Sequence, residues 1–310
     1  MPLYTLCDSM KNRLFMLLII LGGVFWGSSC LFVDKLYRLG FSPFECTSIR
    51  LTFAAIILNL ALIIKNKGFK AYKIGVSSYL IAASSGVFSV FAMCAFYYLC
   101  MEKASAAVSA ILLYTAPLFV MIMSLILFKE KLTAKKITAF IIAIIGCALV
   151  SGIASGISSE PIGILFGILS GFTYSLYGIF THYYMKKNSD TLTFTALNFL
   201  FGSIFSLFFA SPEKIIDVTV QNGHVAETII YFAIFGLCTA VIPFTLYTLG
   251  LKKVKPDTAS ILAFTEPLTA AIFGILILNQ NIDIYGIVGI ILVTAAIVLM
   301  NIQLKSKKRG

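Results

Sequence analysis

Long apolar stretches alternate with short polar ones along this chain of 310 residues. An α-helix needs about 20 apolar residues to cross the hydrocarbon core of a bilayer. Ten stretches have roughly that length, so the pattern predicts an all-α integral membrane protein with ten transmembrane helices. We number them spans one to ten, with the predicted bounds 14–33, 43–64, 75–99, 104–127, 134–152, 161–184, 191–210, 227–250, 257–278 and 283–303.

The connections between the spans are too short for a soluble domain. The longest, from Ser211 to Glu227, is predicted to hold a short interfacial helix. The first span follows Lys11 and Arg13 in the manner of a signal peptide, but its apolar stretch is longer than the 7–15 residues typical of one. We therefore expect it to be retained.

Composition supports a membrane location. Hydrophobic residues make up 59% of the chain and charged residues 12%, against about 25% charged in soluble domains. The formal charge of +11 does not indicate a nucleic-acid partner, because the lysines lie in short loops between apolar stretches. The seven cysteines form no metal-binding or dithiol motif, so neither a metal nor a cofactor is predicted.

The distribution of positive charge predicts the orientation, because Lys and Arg concentrate in cytoplasmic loops. With a cytoplasmic N-terminus, 19 of the 24 Lys and Arg residues fall on the cytoplasmic side, four fall on the outer side and Arg50 lies within span two. We therefore predict a multi-pass protein of the cytoplasmic (inner) cell membrane with both termini in the cytoplasm.

The two halves of the sequence resemble each other. When Pro117 is aligned on Pro267, Thr115-Ala-Pro-Leu118 matches Thr265-Glu-Pro-Leu268, and Tyr97 matches Tyr247. Each half holds five spans, and an odd number requires the second half to be inserted in the opposite direction. The pattern thus predicts two inverted five-helix repeats, 14–152 and 161–303, a construction that secondary transporters use.

Several short motifs make the whole chain resemble the EamA-type family of the drug/metabolite transporter superfamily. The motifs are Phe25-Trp-Gly-Ser28 followed by Lys35, Pro43 with Arg50, Tyr97-Tyr98 leading to Tyr114 and Pro117, Phe128-Lys-Glu130-Lys-Leu-Thr133, and Glu266-Pro267-Leu268. The chain departs from the family pattern at Asn279-Gln-Asn281, where a second glutamate is usual, and at Ala139, where a glycine is common.

The resemblance implies a central cavity lined by spans one, three, four, six, eight and nine, with spans five and ten at the periphery. It also implies transport of small organic metabolites such as amino acids or amines, commonly as export. It does not imply a particular substrate, and a monomer and a homodimer both remain open. Glu130 would lie at the inner end of span four with a structural or gating role.

Glu266 is the sharpest candidate for a functional residue. It lies about nine residues into span nine, near the middle of the bilayer, where a carboxyl group is costly and usually faces a cavity or a partner. It would bind a substrate amine or carry protons for coupling; the alternative is a structural hydrogen bond to a neighbouring helix. Pro267 lacks an N–H and is expected to leave the Ala263 carbonyl without its helix partner.

Arg50 is the one cation clearly within a predicted span. Three roles are open: binding a substrate carboxylate, pairing with Glu45 one turn earlier, or extending to the outer interface.

Aromatic residues on the predicted cavity spans would bind organic ligands or hold amines by cation–π contacts, although most aromatic residues in such a chain simply pack. The candidates are Trp26, Tyr97, Tyr114, Tyr174, Tyr177, Tyr247 and Phe264, and Pro117, Pro243 and Pro267 are expected to mark kinks or hinges.

Two other classes of function are less well supported. A membrane enzyme needs converging catalytic groups, yet His182 and His224 both lie away from the middle of the membrane. An ion channel would show a polar stripe or a filter-like loop, and neither is visible. We therefore predict no catalytic residues, no metal and no nucleotide-driven pump.

Overall fold

A computed structural model of the chain describes residues 3–103, 106–129, 132–150, 160–187, 190–277 and 284–301, and these residues contain helices and no β-strand. The α-helices are α1 (Leu3–Gly27), α2 (Ser29–Arg38), α3 (Pro43–Lys65), α4 (Val76–Ser85), α5 (Ala92–Lys103), α6 (Ala106–Leu113), α7 (Ala116–Phe128), α8 (Ala134–Val150), α9 (Pro161–Lys187), α10 (Thr191–Ser206), α11 (Pro212–Gln221), α12 (Val225–Gly236), α13 (Ile242–Gly250), α14 (Pro256–Leu262), α15 (Thr265–Leu276) and α16 (Ile284–Asn301).

The helices follow the predicted spans, some as single helices and others as two helices in series. Five helical segments of the described chain have the length and apolar composition needed to cross a bilayer: Arg13–Arg38, Pro43–Lys65, Val76–Met101, Pro161–Lys187 and Val225–Gly250. The molecule is therefore a multi-pass membrane protein, and the count of ten spans stays a prediction.

The outer surface of the bundle fits this setting. Large apolar side chains project from it, among them Ile64 (76% exposed), Phe208 (79%) and Leu276 (72%). Soluble monomers rarely expose extended apolar surface, whereas lipid tails cover it without cost. The exposed apolar side chains are thus the lipid-facing side of the protein.

The same irregularities recur in both halves of the chain. A π-helical turn at Gly86–Phe91 joins α4 to α5, and another at Leu237–Val241 joins α12 to α13. The helical path is also interrupted between α6 and α7 and, at the matching place, between α14 and α15. Features of this kind are frequent at functional sites, and their repetition extends the internal similarity from sequence to backbone.

Contacts between the halves are symmetric when the halves are exchanged. Helix α5 packs on α9, and its counterpart α13 packs on α1. Helix α3 packs on its own counterpart α10, and α8 packs on its counterpart α16. Such a set of contacts is what an approximate two-fold axis between two copies of one unit produces.

Individual atoms follow the same symmetry at two close helix crossings. A Cβ atom on Gly86 would come 2.3 Å from the Asn198 carbonyl oxygen. On Gly236, the counterpart of Gly86, a Cβ atom would approach Phe53 and the Arg50 carbonyl oxygen, the latter at 3.4 Å. Asn198 therefore occupies, in the second half, the position that Arg50 holds in the first.

The predicted interfacial segment contains a helix, α11, held against the start of α3. Lys214 on α11 donates to the Glu45 carboxylate at 3.1 Å, and Ile215 and Val218 pack beside a small apolar cluster. The core of that cluster is Leu36, Phe41, Cys46, Ile49, Phe232 and Phe235. Residues from both halves thus meet in this cluster, away from the main core.

Candidate functional site

Glu266 lies just after the interruption in predicted span nine. Helix α14 ends at Leu262 and α15 begins at Thr265, so Glu266 is in the first turn of α15. Its backbone N–H donates to the Ala263 carbonyl at 2.9 Å. The expectation that this carbonyl loses its partner is therefore wrong, because a tighter turn supplies a new donor.

A glycine brings α1 against this interruption, and a second glycine does the same for α9 at the matching interruption. A Cβ atom on Gly23 would come 2.9 Å from the Thr265 Cβ and 3.2 Å from the Glu266 nitrogen. The matching glycine of the other half, Gly171, would place a Cβ atom 2.5 Å from the Thr115 hydroxyl. Each interruption is therefore packed against a glycine of the opposite half, which fixes the position of the Glu266 backbone.

Arg50 points into the protein and does not pair with Glu45. Its Nη2 donates to the Cys94 Sγ at 3.0 Å. The Glu45 carboxylate instead accepts from the Ser42 N–H at 2.7 Å and from Lys214. Of the three roles left open for Arg50, pairing with Glu45 is therefore wrong, because Glu45 caps the start of α3 and is bound by Lys214 on α11.

Arg50 and Glu266 share one environment although they come from opposite halves. Each lies within electrostatic range of the other, but no direct ion pair joins them among the described residues. Both side chains are partly buried, and they approach each other from opposite halves of the chain.

Three of the predicted aromatic residues lie near the Glu266 carboxyl group. Tyr97, Tyr114 and Tyr174 all lie within electrostatic range of Glu266. Tyr174 also lies within range of Arg50. These tyrosines form the aromatic wall beside the two charges.

A narrow pocket continues from this wall. It is lined by Tyr114, Ala116, Pro117, Val120, Tyr174, Ser175, Tyr177, Gly178, Tyr247, Ser260 and Ala263. These residues come from predicted spans four, six, eight and nine, on both halves. Tyr114 and Tyr174 line the pocket and also lie within electrostatic range of Glu266, so the pocket adjoins the carboxyl group.

Trp26 and Phe264 pack behind this surface and do not line the pocket. The Trp26 ring lies 4.9 Å from Phe244 and 5.4 Å from Tyr247, measured between ring centroids. Phe264 is 1% exposed, with its ring 5.5 Å from Tyr114. Both aromatic side chains support pocket tyrosines.

The predicted prolines lie at the ends of interrupted segments. Pro117 is at the start of α7 and lines the pocket. Pro243 follows the π-helical turn at the start of α13, and Pro267 follows the break before α15. Glu130 lies outside the described residues.

The sequence analysis assigned no individual role to two further polar residues near Arg50. Cys94, one of the seven cysteines without a motif, accepts the Arg50 hydrogen bond. Tyr98, part of the Tyr97-Tyr98 motif, lies within electrostatic range of Arg50. Cys94 and Tyr98 are four residues apart on one helix, so they share a face. Once one of them is known to contact Arg50, this spacing indicates that the other also faces Arg50.

Comparisons with known proteins agree with this architecture. The model of the EamA-like transporter family matches residues 13–152 and again residues 161–302. The uncharacterized transporter YetK of Bacillus subtilis is 26% identical over 285 residues, covering 90% of this chain and 84% of YetK. The uncharacterized inner membrane transporter YicL of Salmonella typhimurium is 24% identical, covering 97% of this chain and 99% of YicL.

The fold also resembles that of a protein of solved crystal structure. The two align with a TM-score of 0.75 over 94% of this chain and 96% of that protein, at 16% sequence identity. At this identity the likeness concerns the fold alone.

Proposed function

The chain belongs to the EamA-like transporter family, and from that premise we propose that it is a secondary transporter for small organic metabolites that carry an amine, such as amino acids or amines. It would work by alternating access through the cavity between two inverted five-helix repeats, and it would export its substrate from the cytoplasm across the inner membrane. The predicted cytoplasmic termini belong to the same proposal.

The observation that supports this proposal most directly is the arrangement of Arg50 and Glu266. The two groups come from opposite halves, lie within electrostatic range of each other and do not form an ion pair with each other among the described residues. A charged group in a membrane interior is costly unless it finds a partner. A zwitterionic solute supplies both partners, since its carboxylate matches Arg50 and its ammonium group matches Glu266.

The aromatic wall supports the same class of substrate. Tyr97, Tyr114 and Tyr174 lie near the carboxyl group, and aromatic rings attract ammonium groups through their faces. A solute that carries only an amine would use Glu266 and these rings without Arg50. This accounts for amines within the proposed range of substrates.

Proton coupling would use the same carboxyl group. When the substrate leaves, a proton would replace its ammonium group on the Glu266 carboxylate. The carboxylate would therefore always be compensated by a positive charge. The internal symmetry supports the alternating movement, because halves that pack through symmetric contacts can exchange their inner and outer arrangements.

The proposal is tested with purified protein in liposomes by counterflow of labelled amino acids, amines and nucleosides, with and without a pH gradient. We expect counterflow of amino acids or amines that responds to the gradient, and loss of that response in Glu266→Gln. Glu213→Gln is the matched control, because Glu213 is exposed on α11. Unchanged transport and unchanged pH dependence in Glu266→Gln would contradict the role of Glu266; failure of every solute together with steady ion currents would indicate a channel.

A further inference from the structure

A buried ion pair joins the two halves at a distance from the candidate site. Lys136, near the start of α8, contacts the Asp257 carboxylate in the first turn of α14 through its Nζ atom. The Asp257 side chain is 0% exposed and the Lys136 side chain 12% exposed. In the predicted orientation, both helix ends lie on the cytoplasmic side.

The two carboxylate oxygens of Asp257 contact different side chains. One carboxylate oxygen contacts Lys136 and the other accepts from the Thr258 hydroxyl at 3.1 Å. Removing one partner of a buried ion pair leaves the other charge uncompensated, which is strongly unfavourable. Separation of α8 from α14 is therefore opposed as long as neither charge can reach water.

Helix α14 also forms part of the pocket wall. Its residues Ser260 and Ala263 line the pocket, and the Ser260 hydroxyl donates to the Asp257 carbonyl at 2.9 Å. The same segment leads directly into the turn that carries Glu266. Holding Asp257 in place therefore holds the wall between the pocket and the cytoplasmic ends of the helices.

We propose that the Lys136–Asp257 ion pair is a latch between the two halves that keeps the pocket closed to the cytoplasm. The latch rests on the proposed transport function, because alternating access requires a closed and an open cytoplasmic side. When the halves separate at the cytoplasmic side, water hydrates both charges. This hydration lowers the free energy of the open state toward that of the closed state. The pair thus sets the balance between the two states.

A second ion pair between the halves provides a matched comparison. Lys65 at the end of α3 lies 3.8 Å from Asp190, the N-cap residue of α10. The Lys65 and Asp190 side chains are 60% and 42% exposed. Solvent therefore screens the two charges, and the ion pair contributes little to stability. Loss of this contact is expected to leave the balance between open and closed states unchanged.

The test measures access to the pocket from the cytoplasmic side. Ser260→Cys places a thiol in the pocket wall, and a membrane-impermeant maleimide is added to inside-out vesicles that contain the full chain. Peptide mass spectrometry then gives the labelling rate at position 260. We expect Asp257→Asn and Lys136→Met each to raise this rate by roughly tenfold or more, which corresponds to about 1.4 kcal/mol.

Reversal of both charges, Lys136→Asp with Asp257→Lys, is expected to return the rate toward that of the parent, and Lys65→Met is expected to leave it unchanged. Equal labelling of the parent and both single variants would overturn the latch, as would a reversed pair that labels as fast as the single variants while eluting as a monodisperse protein. Because labelling needs no substrate, failure of the latch is distinguishable from failure of solute counterflow, which bears on the transport function.

Discussion

Gly27 lies directly against the backbone of Glu266, with no space for a side chain between the two helices. A Cβ atom on Gly27 would come 2.5 Å from the Glu266 carbonyl oxygen and 2.6 Å from the Thr269 Cβ. The first span of one half is thereby fixed against the segment of the other half that carries the candidate carboxyl group. Gly27 therefore fixes the backbone of the candidate residue Glu266.

Replacement of Gly27 by alanine is expected to destabilise the fold. The backbones of α1 and α15 must separate to admit the methyl group, and overpacking of this kind costs about 1–3 kcal/mol. Thermal unfolding of the purified protein in detergent measures the effect as a lower unfolding temperature. Gly75→Ala is the control, since a Cβ atom there meets nothing within 4 Å; equal unfolding temperatures for the two variants would contradict the close contact.

Substrate selectivity is expected to separate the roles of Arg50 and Glu266. Arg50→Gln should weaken binding of solutes with a carboxylate and leave simple amines unaffected, while Glu266→Gln should weaken both. A hydrogen bond to a charged group contributes about 1.5–3 kcal/mol, so each loss should lower the apparent affinity roughly tenfold or more. Competition counterflow with paired amino acids and amines measures the apparent affinities. An equal loss of affinity for both solutes in Arg50→Gln would refute the assignment of Arg50 to the substrate carboxylate.

Two buried tyrosines offer a test of hydrogen bonding in the core. The Tyr177 hydroxyl bonds to the Thr248 hydroxyl at 2.7 Å, whereas the buried Tyr184 hydroxyl has no hydrogen-bond partner among the described residues. Tyr177→Phe should lower the free energy of unfolding by about 0.5–1.5 kcal/mol, and Tyr184→Phe should be neutral or stabilising. The unfolding temperatures of the two variants measure these changes in stability. A larger loss of stability for Tyr184→Phe would show that the Tyr184 hydroxyl is hydrogen-bonded.

The stability of the region where α11 packs on the start of α3 should depend more on Glu45 than on Lys214. Glu45→Ala removes the acceptor for the Ser42 N–H at the start of α3, a loss that costs about 0.5–2 kcal/mol. Lys214→Met removes only a cation whose side chain is 47% exposed, which should cost less than about 1 kcal/mol. Thermal unfolding compares the variants, and a Lys214→Met variant as unstable as Glu45→Ala would assign the stability to the ion pair instead.

Sequence reasoning was strongest where one physical constraint acts along the chain. Membrane crossing requires continuous apolar stretches, so helices such as α3 and α9 lie close to their predicted bounds, 43–64 and 161–184. The interruption before Pro267 was also anticipated, because a proline removes a backbone donor. The Ala263 carbonyl nevertheless found a new donor in the Glu266 N–H, which only the local backbone geometry determines.

Partners distant in sequence could not be predicted. Asp257 follows a lysine and a proline at the start of a span, and nothing nearby in the sequence indicates that Lys136 meets it. Glu45, one turn away, was one of the partners considered for Arg50, but Arg50 contacts Cys94 on another helix. In both pairs the choice is made by helix packing, which a single sequence does not encode locally.

The exchange of Arg50 for Asn198 between matching positions has a consequence for how a solute is oriented. Two identical halves would offer a bound molecule two equivalent poses, related by the axis between them. Here the first half supplies Arg50 opposite Asn198, and the second supplies Glu266 where the first has Ala116. A nearly symmetric scaffold thus carries unlike charged groups in its two halves. Under the proposed function, a solute with unlike ends would have a single preferred pose, and a diamine or a dicarboxylate would satisfy only one end.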